Sequence, residues 1–325
     1  MCDAMKSKLR KSVEREIGGY IELDTYRGKM LYDDAIKLNC GRKALEYIIR
    51  TKNIKKLLIP RFMCDSNDKV LKEMDIECIF YSIDSHFRPI IKDRGQDEWL
   101  YLVNYYGQIS NEDIIALGKN IIVDNAQAYF QEPIKGYDTF YTCRKFFGVT
   151  DGAIVYTDCV MEGLKRDESY GRMNYLLGRY ERCASEFYNE YVENNERFSG
   201  EELKLMSKLT ENLLHAIDYN YVRERRTENF QYLFKRFKSV NRLDLKVPIG
   251  AFMYPLYIDN GAEVRKRLQA KKIYIPTLWP NVLDCCDQDE LEYDMAKNIL
   301  PIPVDQRYDI CDMQYVFGEI CKCLH

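Results

Sequence analysis

Two short segments carry the residues best suited to chemistry: IIVDNAQAYF at 121–130 and DTFYTCRKFFGVTDGAIVY at 138–156. The first is an apolar run that delivers Asp124 at its carboxyl end, and the second sets Lys145 just beyond another strand, before two aromatics and a glycine. An amine and a carboxylate placed this way suit pyridoxal phosphate: the amine condenses with the aldehyde, and the carboxylate keeps the pyridine nitrogen protonated so that the ring can accept electrons. Each residue also has a plainer reading. Lys145 belongs to an Arg-Lys pair and reads equally as a surface charge, while Asp124 reads as the N-cap of a helix over NAQAYF. The two Phe after Lys145 argue for a desolvated amine, and desolvation favours the neutral, nucleophilic form.

The surrounding chain supplies elements able to position such groups. CGRKALEYIIRTKN (40–53) has helical apolar spacing, KKLLIP (55–60) is a short apolar run ended by Pro, and SNDKVLKEM (66–74) opens on a Ser cap. IECIFYSID, WLYLVNYYG (99–107), SNEDIIALG (110–118), IIVD, TFYT and GAIVYT continue the alternation of strand and helix. Strands interleaved with helices in this way predict an α/β domain, its largely parallel sheet covered on both faces, with function at the strands' carboxyl ends. Asp124 and Thr142 fall at such ends.

From about Met161 to Val240 the pattern turns helical and charged without a Pro, and RERR at 223–226 reads as a solvated helix face. After Pro248 a strand (GAFMYPLYID), a helix (AEVRKRLQAK), a strand (KIYIP) and a final helix (ICDMQYVFGEICKCL) describe a small α+β domain. The expected division is an N-terminal arm over 1–30, a large domain over 31–225 and a small domain over 226–325.

Composition narrows the partners. At 325 residues and 46% hydrophobic content the chain can bury a large core. A net charge of −3 offers no field for nucleic acid or an anionic membrane surface. The N-terminus MCDAMKSKLRKSVEREIGGY lacks an apolar h-region, and no apolar run of about 18 residues occurs, which predicts a soluble, cytoplasmic protein. The 12 cysteines are scattered and read as reduced core thiols. No metal is expected, since neither the cysteine spacing nor the three His suit zinc. His86 and His215 read as structural or exposed.

In order along the chain, from Gly18 to about Asp158 and more loosely beyond, the sequence resembles the fold-type I pyridoxal-phosphate enzymes, and among them the DegT/StrS-type nucleotide-sugar aminotransferases. LNCGRKALEY (38–47) resembles the family's Ser-Gly-x-x-Ala-Leu turn, which implies cofactor phosphate held by backbone N–H groups at Gly41 and Arg42. LLIPRFMCDS (57–66) is similar to the strand and turn beside the pyridine ring, with Cys64 at the ring's face, and VNYYGQ (103–108) to the aromatic-Gly segment at the substrate end of a strand. VDNAQA (123–128) implies Asp124 at the pyridine nitrogen and Gln127 near the phenolic oxygen. TCRKFFGVTDGAIVY (142–156) resembles the Schiff-base lysine segment, with Lys145 as the lysine and the Thr142 hydroxyl on phosphate.

The resemblance implies a mostly parallel seven-stranded sheet with a small C-terminal α+β domain, a homodimer with shared active sites, and transfer of an amino group from a small-molecule donor such as glutamate to a keto acceptor on a nucleotide-linked sugar for surface polysaccharide. Tyr20, Tyr106, Trp279, Arg307 and Tyr308, in polar-aromatic turns, are the candidate substrate residues. The chain departs from the family where Cys64 replaces a ring-stacking aromatic, where Asp151 stands for a Glu, and where the Asn-Tyr-Arg segment is absent around MSKLTENLL (206–214). Two alternatives stay open: a pyridoxal-phosphate lyase or dehydratase, and a non-catalytic relative that binds sugar nucleotides.

Overall fold

A computed structural model describes residues 17–95 and 97–324, so the first part of the expected arm, residues 1–16, lies outside the described residues. The first half of the chain alternates: β1 (Ile36–Leu38), α1 (Gly41–Thr51), β2 (Lys56–Pro60), α2 (Asp65–Glu73), β3 (Glu77–Ile83), β4 (Pro89–Ile90), β5 (Trp99–Val103), α3 (Asn111–Ala116), β6 (Ile121–Asp124), β7 (Asp138–Thr142) and β8 (Ala153–Tyr156). These strands form one sheet in the order β1-β8-β7-β6-β5-β2-β3-β4. β3, β2, β5, β6 and β7 run parallel. β8 is antiparallel to both β7 and β1, and β4 is antiparallel to β3. The sheet has eight strands rather than seven, the addition being the two-residue β4 at its edge.

Burial follows from the pairing. β5 and β6 lie mid-sheet with both faces covered, and Leu100 to Val103 and Ile121 to Asp124 are all buried, which is why they read as continuous apolar runs. α1 packs on β7 and β8, and its Ala44, Leu45, Ile48 and Ile49 are buried. α2 begins two residues earlier than its Ser suggested: Cys64 is the N-cap, and Ser66 lies inside the first turn. α3 is capped by Ser110, as a capping box with Asp113.

The helical run expected from Met161 to Val240 is broken. It contains α4 (Asn174–Glu181), α5 (Tyr188–Arg197), α6 (Lys208–Leu214) and α7 (Tyr219–Phe237), with extended chain before α4 and between α5 and α6. The second extended stretch has a physical cause. Leu205 bridges Leu38 of β1 and Arg166, and Met206 N–H donates to the Lys37 carbonyl, so the chain satisfies the otherwise open sheet edge. In α7 the buried stripe is Val222, Arg226, Asn229, Phe230, Leu233 and Phe237. Arg223 and Glu224 face solvent as expected, but Arg226 occupies a core position of that stripe.

The last part contains β9 (Met253–Tyr257), α8 (Gly261–Ala270), α9 (Val282–Cys285), α10 (Leu291–Asn298), β10 (Ile299–Pro303) and α11 (Ile310–Leu324). The KIYIP segment is irregular, and the strand pairing with β9 is ILPIP instead. Proline is poorly suited to a strand with two neighbours, but Pro301 lies opposite Pro255 in a sheet of only two strands, where a missing N–H can face away from the partner. α7 and α11 pack together beside this ribbon, and α8 packs on β10 and α11. One continuous apolar core runs from Met30 to Ile320 through both sheets. No helix among the described residues is long and apolar enough to cross a membrane.

Candidate active site

The parallel strands bring the chemistry to one edge. Asp124 ends β6 and pairs in register with Phe140 of β7, two residues before Thr142. Its Oδ1 accepts from the Ala126 N–H at 2.8 Å, so the residue forms a local turn and no helix follows it. Its Oδ2 accepts from the Tyr101 hydroxyl at 2.5 Å, and that hydroxyl accepts from Asn67 Nδ2 at 2.7 Å. Burial pushes the Asp124 carboxyl above its ordinary range, while the Lys145 charge and the two hydrogen bonds pull it back. Burial, and then the Asp124 charge, pushes the Tyr101 phenol well above its ordinary range, so it stays protonated as the donor.

The N-terminus of α1 opens beside β7. Its N-cap, Cys40, makes no side-chain capping bond, and the first turn holds no acidic residue. A Cβ placed on Gly41 would lie 3.7 Å from the Phe140 ring and 3.8 Å from Thr142 Cβ, so the glycine leaves a small cradle between helix end and strand end. The first N–H groups of a helix have no intrahelical acceptor and point outward with the positive end of the helix dipole, a setting that favours an anion. The Arg42 side chain is engaged elsewhere, donating to Ser199 Oγ at 2.9 Å and the Asn195 carbonyl at 2.7 Å, so its contribution at the helix end is its backbone N–H.

Lys145 closes a short 3-10 turn (Cys143–Lys145) that follows β7. The desolvation expected from its neighbours does not occur within the single chain: Phe146 and Phe147 turn into the core, and Lys145 is exposed. Its Nζ lies 5.6 Å from the centre of the Phe252 ring. The carbonyl of Phe146, the next residue, accepts from Gln306 Nε2 at 2.8 Å and from Arg226 Nη2 at 3.1 Å. Behind this segment, buried Asp151 accepts from Ser207 N–H at 2.7 Å, from Ser207 Oγ at 2.8 Å and from Thr210 Oγ1, and so anchors the first turn of α6.

Asp124, Lys145, Thr142 and the Gly41–Arg42 helix end therefore converge, and a cofactor with a phosphate, an aldehyde and a ring nitrogen has a matching group for each. Gln127 is buried, and its Oε1 is committed to the Tyr106 N–H at 2.8 Å, holding a residue whose φ of 53° is left-handed. Cys64 is half-buried, with Sγ 2.8 Å from Ser66 Oγ. Among the substrate candidates, Tyr106 and Trp279 are buried and line a small gap with Phe62 and Pro301. Arg307 forms a forked pair with Asp305 at 2.7 and 2.8 Å and lies over the Tyr308 ring, one residue from Gln306 and hence near the Lys145 turn. Tyr20 is almost fully exposed in the arm, whose later residues are pinned to α6 through Asn212 and His215. Tyr101, Asn67, Arg226, Gln306 and Phe252 were not among the residues expected at the site. The only sequence signal for Arg226 is its place in the Val222-Asn229-Phe230 stripe.

No family model matches the chain, and no curated protein is similar to it in sequence. Solved structures are similar in fold. A DegT DnrJ EryC1 StrS aminotransferase from Brucella abortus superposes with a TM-score of 0.57 at 14% identity, over 89% of this chain and 85% of that one. The sugar aminotransferase CalS13 from Micromonospora echinospora gives 0.57 at 13%, over 88% and 86%. NtdA from Bacillus subtilis, solved with PMP bound as cofactor, gives 0.63 at 11%, over 89% and 72%. The chain thus has the fold-type I aminotransferase architecture, with a large mostly parallel sheet and a small second one.

Proposed function

We propose that this protein is a pyridoxal-phosphate-dependent aminotransferase that takes an amino group from glutamate and delivers it to a keto sugar nucleotide, as part of surface polysaccharide synthesis. The observation that carries the reading is the convergence of a buried carboxylate, a lysine and an open helix N-terminus at the ends of β6, β7 and α1. Pyridoxal phosphate, when bound, supplies an aldehyde for the lysine amine and a protonated ring that draws electrons from the substrate's Cα. Asp124 accepts from the ring N–H, and the cation there offsets the burial that pushes its carboxyl up. The Gly41 and Arg42 N–H groups and the Thr142 hydroxyl would hold the cofactor's phosphate, with Gln127 near the phenolic oxygen and Cys64 at the ring's face. Once the donor's amine has displaced it from the aldehyde carbon, Lys145 Nζ would take the donor's Cα proton and return it to that former aldehyde carbon, serving as base and then acid.

The same reading assigns Tyr20, Tyr106, Trp279, Arg307 and Tyr308 to the acceptor side and makes the enzyme a homodimer. Support for the dimer is the exposure of Lys145 in one chain together with bare apolar side chains on the arm, Ile17, Tyr20 and Ile21. The same reading divides the chain into an arm (1–30), a large domain (31–225) and a small domain (226–325); the two separate sheets support a large and a small part, and α7 (Tyr219–Phe237) crosses the boundary between them. The test is the absorbance spectrum of wild-type and Lys145→Ala protein after cofactor addition, before and after L-glutamate. The reading expects a visible band in wild type only, bleached by glutamate. A band that glutamate leaves unchanged would favour a lyase or dehydratase, and no band at saturating cofactor would leave a binding protein.

A further inference from the structure

Arg226 is the largest fully buried side chain in the described protein, and no carboxylate hydrogen-bonds to it. The nearest acid, Asp305, is forked onto Arg307 and acts on Arg226 only through space. The guanidinium donates instead to neutral acceptors: Nε to Gln306 Oε1 at 2.8 Å, Nη1 to the carbonyls of Ala251 at 2.9 Å and Phe252 at 3.3 Å, and Nη2 to the carbonyl of Phe146 at 3.1 Å. It also lies 4.5 Å from the centre of the Phe146 ring. Burial lowers its pKa to about 10, which leaves it cationic at neutral pH.

Burying a guanidinium without a counter-ion is costly, and a core position on α7 could have been filled by Leu or Met. What the charge secures is visible in its partners. Phe146 follows Lys145 directly, and Phe252 presents the ring beneath Lys145 Nζ, 5.6 Å away. Gln306 joins the same group twice, accepting from Arg226 and donating to the Phe146 carbonyl. One side chain on α7 therefore fixes three separate stretches of chain: the Lys145 turn, the entry to β9 and the loop after β10.

We propose that Arg226, with Gln306, is the positioning residue for Lys145, holding the carbonyl of Phe146, the residue next to the lysine, and the aromatic surface beneath its amine in one arrangement. The direction of the amine is then set by the packing of α7 against the small sheet. The proposal rests on the reading of Lys145 as the working amine, but its consequence for that amine is measurable without cofactor.

The experiment is competitive acetylation of the intact cofactor-free protein, following Lys145 by peptide mass as a function of pH, in wild type, Arg226→Lys, Arg226→Met and Gln306→Leu. Cofactor capture at Lys145, fixed with borohydride, is measured in parallel, and circular dichroism and Tm report folding. The expected result is a Lys145 labelling profile displaced in the Arg226 variants, and cofactor capture slowed about 10- to 100-fold, the scale of a misplaced reacting group. Gln306→Leu shifts both in the same direction by less and keeps the wild-type fold, so it decides the matter if Arg226→Met does not fold. Folded Gln306→Leu and Arg226→Lys proteins with the wild-type profile and capture rate would overturn the proposal. If wild type captures no cofactor while labelling still follows Arg226, the positioning role stands and the aminotransferase reading fails.

Discussion

Replacing Tyr101 by Phe removes one oxygen from the interior and keeps the ring stacked near Phe140. That oxygen donates to Asp124 Oδ2 at 2.5 Å and accepts from Asn67 Nδ2 at 2.7 Å. Loss of a donor to a buried carboxylate costs about 1.5–3 kcal/mol, and the stranded Asn67 donor adds about 1–3 kcal/mol. Because the two bonds share an atom they do not add freely, and about 3–5 kcal/mol at neutral pH is the expected total. The first part depends on charge. The Tyr101 bond lowers the Asp124 pKa, so its removal lifts the folded value further above the unfolded reference of 3.8. A carboxyl that holds its proton longer in the folded state loses stability as pH rises, and the variant's extra loss accumulates between the wild-type and variant folded pKa values. Above that window the cost is complete, and below it only the Asn67 part remains. Urea midpoints of cofactor-free wild type, Tyr101→Phe, Asp124→Asn and the double variant, from about pH 5 to pH 8, measure this directly. A loss that is flat across pH and undiminished in the Asp124→Asn background would refute the claim that the hydroxyl acts on the carboxylate.

Thr142→Val keeps shape and strand propensity while deleting the hydroxyl at the proposed phosphate cradle; it should weaken pyridoxal-phosphate binding about 10- to 100-fold by spectral titration, with Tm unchanged. Asp151→Ala strands the Ser207 N–H and the Thr210 hydroxyl at the start of α6, and should lower unfolding free energy by about 2–4 kcal/mol in urea. Gly250 has φ +59°, and a Cβ there would fall 2.2 Å from the Phe130 ring. Gly250→Ala should therefore cost at least about 2 kcal/mol by the same measurement, and it should also disturb the Ala251 carbonyl that Arg226 holds.

The alternation of the first half was legible because parallel strands buried on both faces are written as unbroken apolar runs, and IIVD and WLYLV could be read no other way. β1 and β4 were not legible, since three and two residues are too short to show a period. The stretch between α5 and α6 misled for a different reason. Its polar residues suit a solvated helix, and only the open edge of β1, a tertiary fact, draws Leu205 into extended pairing. ILPIP drew no strand reading at all, and it can be a strand despite two prolines because its sheet gives it one neighbour.

The site divides along the same line. Asp124, Thr142 and Lys145 were readable because strand ends are where an α/β sheet presents its chemistry, so their position in sequence already stated their position in space. The groups that hold them were hidden in ordinary residue types. Tyr101 looks like a β-former in the middle of a core strand, Asn67 like a polar residue of an amphipathic helix, and Arg226 like one member of a basic run. Each becomes distinctive only when the fold brings it against a partner far along the chain, 23 residues away for Tyr101 and Asp124 and 80 for Arg226 and Phe146. Burial then changes the meaning of the residue: a hydroxyl or guanidinium that water would have satisfied must instead be satisfied by the site, and that obligation fixes the geometry on both sides of the bond. A substitution search guided by sequence would therefore test Lys145 and Asp124 and pass over Tyr101 and Arg226, although Tyr101 donates to the Asp124 carboxylate and Arg226 to the carbonyl of the residue after Lys145.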